Sequence, residues 1–129
     1  MKSLKSTLAV ALLVIVSITS YGGNTDKTVE RARDMVSNAA PDDYQTLADA
    51  ADLCVRKDAN LTEAKQWFEK SIEIKANSKA FEVAGDYYSK NNLKEKAIDA
   101  YVQSMLLAKQ EDFNADTKHL ESKISKLKK

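Results

Sequence analysis

The side chains able to do chemistry here are few. One cysteine, Cys54, and one histidine, His119, occur in 129 residues. A thiolate nucleophile needs a base beside it, and a zinc site or a triad needs more thiols and imidazoles than one of each. Cys54 falls at helical spacing from Leu47, Ala50 and Ala51, so it is expected as a small buried hydrophobe. His119 falls among charged residues and is expected at the surface. Asp42-Asp43 resembles a metal pair, but it stands where a helix would begin and where acid groups stabilise a first turn. Asn60-Leu61-Thr62 fits the glycosylation sequon. It also fits a loop followed by a helix cap at Thr62, which is the preferred reading. No phosphate-loop, HExxH or nucleophile-elbow motif occurs. The expectation is no catalytic residue, no metal, no cofactor and no enzyme.

Composition narrows the remaining classes. Twenty basic residues oppose 19 acidic ones, so no basic field gathers nucleic acid. Three glycines, one proline and 7% aromatics argue against a sandwich or barrel of many short strands. Lys2 and Lys5 precede an unbroken apolar run from Leu8 to Val16, and Ser17, Thr19 and Ser20 lead to Tyr21-Gly22-Gly23. That order of charge, apolar stretch and small residues is a secretory signal. It predicts a signal peptide over residues 1–22, cut after Ser20 or Gly22, and a chain that is exported, periplasmic or secreted. Left uncut, the same segment would anchor the chain to a membrane, and no other part predicts membrane contact.

Residues 24–129 read as helices end to end. Asp26 opens a segment to about Asn38 with Val29, Ala32, Val36 and Ala39 on one face. Pro41 ends it. Leu47, Ala50, Ala51 and Cys54 form the inner face of the next helix, and Ala64, Phe68, Ser71 and Ile72 that of the third. Phe81, Ala84, Gly85 and Tyr88 mark a fourth, and Ala97, Tyr101, Ser104 and Met105 a fifth. Glu111-Asp112 is expected to open a closing helix over about 112–128, with Phe113, Leu120, Ile124 and Leu127 inside. Trp67, beside Phe68, points to another side of its helix.

Two of these pairs repeat. Leu47-x2-Ala50-Ala51-x2-Cys54 aligns with Phe81-x2-Ala84-Gly85-x2-Tyr88 at a shift of 34. Ala64-x3-Phe68-x2-Ser71 aligns with Ala97-x3-Tyr101-x2-Ser104 at a shift of 33. Ala32-x3-Val36-x2-Ala39 fits the same second-helix pattern. The small residues let neighbouring helices approach, and the aromatics fill what remains. This spacing resembles the tetratricopeptide repeat, with the better copy at 78–109 and a degenerate one at 44–76. Neither copy ends in the family's proline; Ala76 and Lys109 stand there.

The resemblance implies an all-α fold: a short α-solenoid of antiparallel helix hairpins with flanking helices. It also implies that the first helix of each pair lines a concave face that binds an extended peptide. On this chain that face carries Gln45, Asp49, Asp52 and Arg56, then Lys79, Glu82, Asp86 and Lys90. Its acidic middle favours a basic or mixed-charge protein or peptide partner. The expected function is an exported protein–protein interaction module. The alternative is a self-associating structural or assembly subunit of an envelope complex, a homo-oligomer.

Overall fold

The computed structural model describes residues 23–129, with side chains from Asp26 onward. The expected signal peptide lies outside the described residues. Those residues form six helices and no strand: α1 (Gly23–Asn38), α2 (Tyr44–Arg56), α3 (Leu61–Ile74), α4 (Ser78–Lys90), α5 (Lys94–Glu111) and α6 (Lys118–Lys128). The protein is all-α, as its periodicity requires.

Three helix starts follow from side chains that accept an otherwise free amide. The Asp43 carboxylate accepts from the Thr46 amide at 3.0 Å and from its hydroxyl at 2.7 Å. These bonds hold the Asp43 carboxyl below its ordinary range. Asn77 accepts from the Ala80 amide at 2.9 Å, and Asn60 from the Glu63 amide at 3.4 Å. Asn60, not the expected Thr62, therefore caps α3. Its φ of 52° is left-handed, a conformation that asparagine tolerates better than most residues. Thr62 sits exposed in the first turn.

The closing helix begins at Lys118, not near Asp112. The reason is local. Asp112 accepts from the Asn114 amide at 2.9 Å and Asp116 from the Lys118 amide at 3.0 Å, so the chain turns where it could have coiled. Lys109 Nζ braces this loop by donating to the carbonyls of Phe113 and Ala115, at 3.4 and 2.5 Å. Phe113, expected inside, is 85% exposed.

Each helix packs on its neighbours in sequence, and α2 also packs on α4. The repeated positions form the core. Ala64 and Ala97 are fully buried, and Phe68 and Tyr101 nearly so. Ala51 and Gly85 are buried on the partner helices. A Cβ added to Gly85 would lie 2.5 Å from Tyr101 Cδ1 and 2.9 Å from Cζ, so the ring rests directly on the α4 backbone. The small-residue reading of this contact is correct.

The two copies share a hydrogen bond as well. Ser71 Oγ donates to the Tyr44 carbonyl at 2.7 Å, and Ser104 Oγ donates to the Ser78 carbonyl at 2.8 Å. Tyr44 and Ser78 are 34 residues apart. Each pair is thus pinned by a serine on its second helix to the opening residue of its first. Ala32 is fully buried, and α1 packs on α2 alone among helices with extensive contact. Leu120, with Ile124 and Leu127, seats α6 against Ala97 and Tyr101. Cys54 is a free, fully buried thiol, and burial raises its pKa. Trp67 packs half-buried against the main core.

Candidate functional site

The eight residues expected on the first-helix face do not form one groove. Gln45 and Asp49 of α2, with Lys79 and Glu82 of α4, line an open cleft of about 580 Å³. Tyr44, Asn77, Ser78 and Glu111 complete it. Arg56, Asp86 and Lys90 line a separate hollow of about 320 Å³, with Val55, Ser89 and Tyr101. Asp52 lines neither. It is 8% exposed, and its Oδ2 meets Lys79 Nζ at 2.9 Å and Arg56 Nε at 3.2 Å.

Helical periodicity explains the split. Gln45, Asp49, Asp52 and Arg56 recur every three or four residues, which is one stripe of a helix. That stripe runs the length of α2 beside the matching stripe of α4, and α4 packs against α2. Asp52, at the centre of the stripe, is covered by this packing. Lys79 reaches across to it.

Asp86 is the repeat equivalent of Asp52, and it too is closed by a lysine from the helix two further along the chain. Lys123 Nζ of α6 lies 2.8 and 3.1 Å from its two carboxylate oxygens and 2.9 Å from Glu82 Oε1. The Tyr101 hydroxyl donates to Asp86 Oδ1 at 2.6 Å, and Lys123 Nζ stands 5.5 Å from the Tyr101 ring centroid. Burial opposes the charge on Lys123, but hydrogen bonds and Coulomb attraction from Asp86 and Glu82 outweigh it and raise its pKa. Burial likewise opposes ionisation of Glu82, and Lys123, aided by His119, more than offsets it, so that carboxyl titrates low. Burial, then the Asp86 hydrogen bond, pushes the Tyr101 phenol far up, so it stays a donor. His119 is exposed, 3.4 Å from Glu82.

Two carboxylates on the cleft differ from these. Asp49 and Glu111 line it and meet no cation among the described residues. Glu111 was not among the expected site residues; it was expected to open the closing helix, whereas it ends α5. Lys123 was not among them either. Charge periodicity alone signals neither role, since both depend on how α5 and α6 cross α4.

What the face can offer a ligand is charge and shape. Among the described residues no group of three or more His, Cys, Asp or Glu side chains is placed to hold a metal ion. No helix among them is long and apolar enough to cross a membrane. No family model, no curated protein and no solved structure matches the chain.

Proposed function

We propose that this chain is a short tetratricopeptide-like solenoid, exported by its N-terminal segment, that binds a partner polypeptide at the cleft between α2 and α4. The observation that carries this reading is the unequal satisfaction of the acids on that face. Asp52, Glu82 and Asp86 each hold a cation of the same chain. Asp49 and Glu111, on the larger of the two openings on this face, hold none. An open carboxylate pair favours a Lys or Arg side chain on the incoming segment, and Gln45 supplies an amide beside it. The repeated serine-to-carbonyl bonds and the small-residue contacts support the solenoid part of the reading, because they recur at the repeat period.

A displayed library of random peptides, panned against the protein, tests it. Enriched sequences are expected to carry Lys or Arg. Binding by fluorescence polarisation should weaken about tenfold or more in Asp49→Lys/Glu111→Lys, and fall with added salt. Enrichment of acidic peptides, or equal affinity in the double variant, would overturn the reading.

A further inference from the structure

We propose that Phe113 of one copy of this chain docks into the apolar hollow between α3 and α5 of a second copy. The hollow holds about 330 Å³, near the lower limit for a ligand pocket and suited to a single large side chain. Phe68, Ile72, Phe81, Ala84, Tyr88 and Ala100 line it. Phe68 and Tyr88 already meet edge to face, with centroids 6.3 Å apart, an arrangement that an added ring extends.

The knob is as well defined as the hole. Phe113 is the most exposed large hydrophobe among the described residues. Its loop is braced by the Lys109 ammonium and by the Asp112 and Asp116 carboxylates, so presenting the ring costs little further ordering. Phe113 cannot fill the hollow of its own chain while it stands 85% exposed.

Charge at the mouth is balanced. Of its two acids, Glu69 is paired with Lys65 at 3.6 Å, and only Asp99 is left open. Lys96 at the rim has the Tyr88 ring as its neighbour, 5.6 Å from the centroid, and no carboxylate. The knob loop brings Glu111, Asp112 and Asp116 with no cation paired to them. Lys96 and Asp99 therefore offset each other, and the apolar lining rather than net charge receives the ring. Knob and hole are different surfaces, so the contact is head to tail, and each pair leaves one of each free to extend the chain.

Sedimentation equilibrium of the full-length chain, its N-terminus defined by intact mass, reads this directly. The average mass should rise with concentration, past that of a pair. Phe113→Ser should stay at the mass of one chain, with an unchanged circular dichroism spectrum. Gln103→Glu, a surface change at the mouth, should weaken association several-fold. Ile72→Glu should not self-associate, but mixing it with Phe113→Ser should give a one-to-one pair that neither forms alone. Should Ile72→Glu lose its helical signal, the Gln103→Glu and Phe113→Ser results decide. A wild-type mass fixed at one chain, or Phe113→Ser associating as wild type does, would overturn the proposal. Glu111 belongs to both surfaces, so peptide binding at the cleft is measured separately, on Phe113→Ser.

Discussion

The Tyr101 ring lies against the Gly85 backbone while its hydroxyl donates to Asp86 Oδ1 at 2.6 Å, one residue further along α4. The ring is thus fixed at both ends, by packing on one side and by a charge-assisted bond on the other. This contact holds α5 to α4 and also supplies a wall of the cradle that receives Lys123.

Gly85→Ala should destabilise the protein. Alanine in a helix gains about 0.5–1 kcal/mol over glycine. The new methyl, however, meets three Tyr101 ring carbons closer than real side chains approach, and the anchored hydroxyl keeps the ring from swinging aside. Overpacking costs roughly 1–3 kcal/mol, so it wins, and Gly85→Leu should be worse. Urea midpoints check this. Gly85→Ala combined with Tyr101→Leu should recover part of the loss, since the obstructing ring is gone.

Ser71→Ala and Ser104→Ala should each cost about 1–2 kcal/mol, the typical effect of stranding a buried acceptor. Ser71 should cost more. Each Oγ has a second partner, but for Ser104 it is the rotatable Ser78 hydroxyl at 3.0 Å, whereas for Ser71 it is Asn77 Nδ2 at 3.0 Å, so alanine there removes a partner from the buried residue that caps α4. Thermal melts of both variants measure the difference. A silent pair of substitutions would mean that these bonds do not set the register of the helix pairs.

The core was legible in the sequence because its logic is local. Ala51, Ala64, Gly85 and Ala97 are small where a neighbouring helix must come close, and Phe68 and Tyr101 are large one turn later, so spacing alone identifies them. Phe113 was misplaced because apolar character outranked the turn-forming acids around it. Asp112 and Asp116 take backbone amides as acceptors, and that preference ends the helix. On the binding face, charge identity was visible but satisfaction was not. Whether Asp86 is free depends on the rotation of α6, which carries Lys123 across to it, and no feature within α4 encodes that.

Lys123→Met should loosen α6 and leave Glu82 and Asp86 facing each other half-buried. The pH dependence has two limbs. Glu82 has a lowered folded pKa, so its contribution is present above the unfolded carboxyl value and is lost as pH falls through the folded one. Lys123 has a raised folded pKa, so its contribution is full below the unfolded lysine value and is lost as pH rises through the folded one. Wild type should therefore outlast Lys123→Met most clearly between these limits. The gap in melting temperature should narrow toward both ends of a scan from pH 3 to 11; a constant gap across the range would rule out the ion cluster as the cause.

Asn60→Ala should destabilise α3 by about 1 kcal/mol through the lost cap, with a further penalty for alanine in a left-handed backbone. Asn60→Gly should be milder, because glycine takes that backbone freely and costs only a few tenths as a cap. Thr62→Ala should be nearly silent, since Thr62 is exposed and caps nothing. The same three variants bear on the sequon. The Asn60 Nδ2 atom, where a glycan would attach, is buried in the folded chain. A glycan there would have to be added before α3 closes and would keep its cap from forming. Denaturant midpoints in the order Thr62→Ala, Asn60→Gly, Asn60→Ala, from most to least stable, would establish Asn60 as the structural cap; a larger loss at Thr62 would return that role to the threonine.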